Sequence, residues 1–248
     1  MERNYMTVNE LRLKNTVPWT DDIKWKPELN LKADSYHPRT LFDGLTPVEQ
    51  VPPNPNDFNE GEFIESPNHT WRYAHLKLHR GHSLMTWNGG RFGSVIFDDD
   101  VIIPAVYEKV NGASNFNKDP WMSLTPAEYM SFRGGIQSAH GKVIVAGLGL
   151  GHLLIEVSKK KTVNEIILVE ISEEIVDWLW PQIKPYITEG KLTQVIIGDA
   201  YKEVPKLKAD IALIDIFLHY GNNNREVMKM QKESHYIEKF WGWGTAKI

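Results

Sequence analysis

The chain has 248 residues, 42% of them hydrophobic and 24% charged, values near the averages for soluble globular proteins. Its formal net charge of -4 gives no overall basic field for nucleic acid. With no cysteine, disulfide scaffolds, thiolate zinc sites and cysteine nucleophiles are excluded together.

The start, Met1-Glu2-Arg3-Asn4-Tyr5, lacks an apolar stretch, so no secretory signal is expected. The longest apolar runs, such as 143–145 and 211–214, fall far short of the ~20 residues of a membrane span. A cytoplasmic protein is the expectation. Residues 1–60 are rich in Pro, Asn and Trp, as in Trp25-Lys-Pro and Val51-Pro-Pro-Asn-Pro-Asn, and read as an extended arm ordered where its aromatics dock.

Residues 61–115 read as a small antiparallel β region. Trp71, Tyr73, His75, Lys77 and His79 alternate with Arg72, Ala74, Leu76 and Leu78, a period-2 signal. Asn88-Gly89-Gly90 is turn chemistry between the apolar runs 84–87 and 92–97. His75 and His79 share a strand face but lie ~13 Å apart, too far to ligate one metal ion, so no metal site is expected.

The character of the chain changes over 111–119, and 116–248 alternates helices with strands. Thr125-Pro126-Ala127-Glu128 is a helix start with a capping box. The pattern then predicts strand 142–146, helix 152–160, strand 165–170 and helix 173–180. Strand 194–197, a short helix near 202–207, strand 210–216 and a last helix near 225–240 follow. Lys159-Lys160-Lys161 falls at a helix end, where cations complement the dipole, and reads as solvated. The strands are unbroken apolar runs, as in a parallel sheet covered on both faces. The fold class is thus α/β: a Rossmann-like, doubly wound, mostly parallel sheet with an N-terminal β-rich region. About thirty residues follow Phe217, room for one helix and one short strand, so a sheet truncated at its C-terminal side, or completed by the N-terminal half, is expected.

Chemistry gathers at the strand ends. The first βα turn is Gly147-Leu148-Gly149-Leu150-Gly151-His152, in which glycines permit a sharp turn and close backbone approach to a ligand. A dinucleotide fingerprint would need glycine where His152 stands. Glu170 ends the next strand, where a carboxylate can accept from both hydroxyls of a ribose. Asp199 ends the third and can accept from an adenine amino group or cap the following helix, with Ile171 and Ala200 able to flank the ring. Asp215 ends the fourth, the best placed residue to orient or deprotonate an acceptor. His219 and Tyr220 follow it. Trp178, Trp180, Trp241 and Trp243 read as core or docking aromatics.

Residues 121–217 resemble the class I S-adenosylmethionine-dependent methyltransferases, in particular their spermidine synthase-like branch and small methyltransferase-like proteins of bacteria and phages. The matching stretches are Lys142-Val-Ile-Val-Ala-Gly-Leu-Gly-Leu-Gly151, Ile166-Ile-Leu-Val-Glu170, Gly198-Asp199-Ala200 and Ala209-Asp-Ile-Ala-Leu-Ile-Asp215. The resemblance implies S-adenosylmethionine as cofactor. Gly147, Gly149 and Gly151 would lie under its methionine part, Glu170 on the ribose, and Asp199 on adenine beside Ile171 and Ala200. It implies methyl transfer, with a small-molecule acceptor expected; charge and apolar run lengths give no nucleic-acid or membrane signal, and a homodimer is left open. Leu150 stands where aminopropyltransferases carry an aspartate, and Ile216-Phe217 interrupts their D-S/T-x-D-P run; both departures weigh against polyamine chemistry. An aminopropyltransferase relative and a non-catalytic cofactor-binding protein are the alternatives.

Overall fold

The computed structural model describes residues 13–49, 61–88, 91–110, 116–117, 119–218 and 223–245. The start at 1–5, the proline stretch 51–56, Gly89-Gly90 of the turn, and His219 and Tyr220 lie outside them. The chain divides into two compact units, one within 1–64 and 71–130, the other within 65–70 and 131–248.

The first unit holds β1 (Glu28–Leu31), β2 (Phe63–Glu65, its last residue in the other unit), β3 (Trp71–Leu78), β4 (Ser83–Asn88), β5 (Arg91–Phe97), β6 (Val101–Glu108) and β7 (Met122–Ser123). They form two sheets, ordered β1-β5-β4 and β2-β3-β6-β7. β4 and β5 pair antiparallel, from Ser83 opposite Ile96 to Asn88 opposite Arg91. β1 joins β5 in parallel, so part of the proline- and tryptophan-rich region is itself a strand.

β3 departs from one-sided alternation, because both of its faces are covered. Ala74, Leu76 and Leu78 enter a core with Val101, Ile103, Ala105 and Tyr107. On the other face, the Tyr73 hydroxyl accepts from the Leu41 amide at 3.1 Å, and its ring meets Phe42 edge-on. Val48 bridges the strand beside Leu76, donating to the His75 carbonyl and accepting from the Lys77 amide, each at 2.8 Å. A period of two survives only where one face meets water.

The second unit begins within α1 (Pro126–Ser138) and continues through β8 (Gly141–Ala146), α2 (His152–Ser158), β9 (Val163–Glu170) and α3 (Glu173–Ile183). It then runs through β10 (Leu192–Ile197), the single turn α4 (Ala200–Glu203), β11 (Ala209–Ile214), α5 (Asn223–Glu233) and β12 (Ile237–Gly242). The sheet is ordered β10-β9-β8-β11-β12, and every neighbouring pair is parallel. Numbered within the unit, the order is 3-2-1-4-5, the doubly wound arrangement.

Val143, Ile144, Val145 and Ala146 of β8 are fully buried, as expected of the central strand of a sheet covered on both faces. One face packs Ile144, Ile167, Val169 and Ile214 against Val204, Val227 and Met230. The last helix ends at Glu233, earlier than the sequence pattern predicts, and Ile237–Gly242 pairs with β11 instead of prolonging it. Trp241 packs on Gly134 and Gly135 of α1, and the Trp243 indole donates to Ser131 Oγ at 2.9 Å. The lysine run is not wholly solvated. Lys160 turns inward, its ammonium donating to the Ile136 carbonyl and, at 2.7 Å, to that of Gln137, so it caps the end of α1.

Candidate functional site

The order of the second sheet reverses at β8, whose neighbours β9 and β11 lead away on opposite sides. In open α/β sheets the ligand crevice lies at such a switch point, outside the carboxyl ends of the strands. The glycine loop leaves β8 there. Gly147, Gly149 and Gly151 have φ of 97°, 52° and 78°, in the left-handed region that other residues rarely enter. A Cβ on Gly147 would lie 2.0 Å from the Asp215 carbonyl oxygen, and one on Gly151 2.7 Å from the Ile183 side chain. These two glycines thus serve the packing of the loop on its own fold. His152 opens α2 buried against the Phe132 ring, with centroids 5.7 Å apart.

Glu170, half-buried at the end of β9, ties the loop down. Its Oε2 accepts from the Leu148 amide at 2.7 Å and its Oε1 from the Ser172 amide at 3.0 Å. Ser172 in turn caps α3 by accepting from the Ile175 amide at 3.2 Å. Strand-tip carboxylate, glycine loop and helix start form one hydrogen-bonded unit. Ser172 and the Leu148 amide did not stand out in the sequence, although a serine between Glu170 and an acidic first helical turn is an N-cap signal.

Asp199 follows β10 and caps α4, accepting from the Tyr201 amide at 3.0 Å, with the Lys202 ammonium 3.6 Å from its other oxygen. Ala200 is buried, whereas Ile171 is 71% exposed beside Glu170. Tyr201 and Leu218, also exposed, add apolar surface near the same strand ends. Asp215 follows β11, its amide donating to the Ala146 carbonyl at 2.8 Å. Burial, and then the charge of Glu170, push its carboxyl up to about 7. Gly147, Glu170, Asp199 and Asp215 therefore follow four neighbouring strands at one edge of one sheet. Leu150, in the position an aspartate would take for an amine, is buried.

Among the described residues, no group of three or more His, Asp or Glu side chains is arranged to hold a metal ion. His79 instead meets carboxylates, its Nε2 lying 3.3 Å from Glu49 and its Nδ1 3.6 Å from Asp100. Among the described residues, no helix is long and apolar enough to cross a membrane.

No family model matches the chain, and no curated protein matches it. Solved structures do. Spermidine synthase from Thermotoga maritima is 17% identical over 82% of this chain and 65% of that one, with a TM-score of 0.39. A spermidine synthase in complex with the transition state analogue AdoDATO is 14% identical over 73% of this chain and 61% of that one, at 0.38. A SAM-dependent methyltransferase from Thiobacillus denitrificans, in complex with S-adenosyl-L-homocysteine, is 16% identical over 48% of each chain, at 0.35. The chain spans about half to two thirds of the length of these structures. At such scores the similarities add no weight of their own, and the assignment stands on strand order and loop. A parallel sheet ordered 3-2-1-4-5, with a glycine loop leaving its central strand, gives this chain a Rossmann-like, doubly wound α/β fold.

Proposed function

We propose that the chain is an S-adenosylmethionine-dependent transferase that moves a methyl group to a small-molecule acceptor at the carboxyl edge of its parallel sheet. The observation that carries this reading is Glu170, which is bonded to the glycine loop and stands between its strand neighbours' tips. An ionised carboxylate offers about four acceptor sites. The Leu148 and Ser172 amides take two, which leaves capacity for the vicinal hydroxyls of a ribose. Asp199 keeps an oxygen for an exocyclic amino group, and exposed Ile171 offers an apolar face to a ring.

When bound, the cofactor supplies a carbon activated by a positively charged sulfonium. The chain's own task is then to orient the acceptor and, where the acceptor requires it, to hold a proton. Orientation of that kind contributes about 7–11 kcal/mol to a well aligned transfer. Asp215, with a carboxyl near 7, exchanges its proton at neutral pH and is the residue we assign to the acceptor. Buried Leu150 favours methyl over aminopropyl transfer, since it offers an amine no hydrogen bond.

Calorimetric titration with S-adenosylmethionine, S-adenosylhomocysteine, methylthioadenosine and NAD tests the reading. Micromolar binding of the first two is expected, and Glu170→Ala should weaken it ~10–100-fold through the loss of one or two charge-assisted bonds. Preference for NAD, or unchanged affinity in a folded Glu170→Ala variant, would refute it. Asp215→Asn should retain binding and lose turnover once an acceptor is found. Binding without turnover across a wide acceptor screen would favour a cofactor-binding protein without catalysis.

A further inference from the structure

Loops that hold a dinucleotide's pyrophosphate keep their amides open to it and use glycine so that the backbone can come close. In the loop between β8 and α2 those amides are engaged elsewhere. The Gly147 amide donates to the Val169 carbonyl at 2.8 Å, the Leu148 amide to Glu170 Oε2 at 2.7 Å, and the Gly151 amide to the Leu148 carbonyl at 2.9 Å. Two of the glycines face their own fold, since a Cβ on Gly147 would meet the Asp215 carbonyl oxygen and one on Gly151 the Ile183 side chain. Buried His152 stands where a dinucleotide loop has its third glycine. Of the three groups that take the loop amides, Glu170 alone is charged. Its carboxylate oxygen holds a donor that a phosphate oxygen would need. Asp215, after β11 on the other side of β8, feels the charge of Glu170.

We infer that Glu170 makes this site select nucleosides whose 5′ substituent is uncharged or cationic, and reject those that carry a 5′ phosphate. The inference rests on the proposed transferase reading and adds a second task to the same carboxylate. Its remaining lone pairs accept from ribose hydroxyls, which any adenosine derivative offers. Its bond to Leu148 fixes a negative charge against the loop, which suits a sulfonium and repels a phosphate. An acid at this strand tip is compatible with a dinucleotide when it touches only the ribose. The bond to the loop amide is what turns it into a selector.

Calorimetric titration with adenosine, AMP and ADP in the absence of divalent metal tests the inference, with S-adenosylhomocysteine in parallel. The wild-type chain should bind adenosine at least ~100-fold more tightly than ADP, with AMP between them, and salt at about 1 M should narrow the gap. Glu170→Gln keeps the side chain's length and one acceptor oxygen but not its charge. It should weaken adenosine about 10-fold and tighten ADP about 10-fold. A gain of affinity cannot come from a loosened loop or a misfolded chain. Asp199→Asn removes an equal charge at the same sheet edge, from a residue bonded to its own helix start rather than to the loop. It should leave ADP binding unchanged. Wild-type affinities for adenosine and ADP within ~3-fold of each other, a folded Glu170→Gln variant that gains nothing for ADP, or an equal gain in Asp199→Asn would each overturn the inference. If S-adenosylhomocysteine still binds in those cases, the transferase reading stands and the selectivity alone falls. If the wild-type chain binds neither it nor adenosine, both fall.

Discussion

Two charged clusters, one in each unit, treat their groups in opposite ways. In the first unit, Lys77 lies 2.8 Å from Glu49 and 3.1 Å from Asp100, His79 meets both carboxylates, and the Arg80 amide donates to Asp100 at 2.8 Å. That amide, followed by Lys77, holds the Asp100 carboxyl below its usual range. Both carboxylates of this cluster have Lys77 beside them, and the cluster reads as structure. At the carboxyl edge of the second unit, Glu170 is held by backbone amides, and Asp215 is pushed up by burial and by Glu170 rather than down by a cation. Charges paired near the surface already have their partners, whereas Asp215 is desolvated at a strand tip beside another carboxylate, which is why the proposed function gives it the acceptor.

The largest expected effect tests how strictly that edge is built. Gly147→Ala places a methyl 2.0 Å from the Asp215 carbonyl oxygen, at a φ of 97°. Either β8 and β11 part at their tips or the loop refolds, at a cost on the order of 4 kcal/mol. Gly190→Ala is the matched control. Its φ is 75°, but nothing lies within 4 Å, so only the backbone strain of ~1–2 kcal/mol remains. Urea denaturation of the two variants separates crowding from strain. Equal losses would mean that the approach of loop and β11 carries no special constraint.

Asp215→Asn tests the uncompensated charge itself. With its carboxyl raised to about 7 from 3.8, the native state keeps a proton that the unfolded chain releases from about pH 4 upward. The native state therefore binds more protons across that window. Stability contributed by the protonated acid is full at low pH, falls as pH rises from about 4 to 7, and levels above 7. Asparagine cannot ionise. The wild-type chain should lose about 2 kcal/mol more than the variant between pH 5 and pH 8. Parallel stability curves would show that Asp215 is ionised and solvated in the native state.

The same contrast explains what was legible in the sequence. Parallel strands bury both faces, so their apolar runs announce themselves, and Gly147, Glu170, Asp199 and Asp215 could be located because each stands within two residues of the end of such a run. The antiparallel unit gives no comparable signal. Leu41, Phe42 and Val48, which cover β3, come from a region without periodicity. The cluster around Lys77 assembles residues 49, 77, 79 and 100 through long-range pairing that no local pattern encodes. The overlong last helix has a similar cause. Ile237 and Phe240 are spaced as on a helix face, and only pairing with β11 makes Ile237–Gly242 a strand. Glu170 was legible as an acceptor for a ligand, but its bonds to Leu148 and Ser172 depend on a loop conformation that appears only in three dimensions.

Lys77→Met should produce the smallest effect, and it sharpens the contrast from the compensated side. The Lys77 ammonium is about a third exposed, as is Asp100. Exposed pairs contribute little, because water screens them and two side chains must be held in place. Removing the lysine leaves Glu49 and Asp100 facing each other with only His79 and the Arg80 amide between them, so a modest loss is still expected, at most about 2 °C in Tm. Salt provides the discriminating measurement. At 1 M, where the screening length is ~3 Å, the difference between variant and wild type should disappear. The pH dependence has the opposite sign to that of Asp215. Asp100 is depressed and Lys77 raised, so the advantage of the wild type is present near neutrality and is lost as pH falls through the folded value of Asp100. An acid that stabilises when ionised and one that stabilises when protonated would thus be told apart by the direction of two slopes. A Lys77→Met loss that persists in high salt would place this cluster among the buried, costly charges and erase the distinction between the two units.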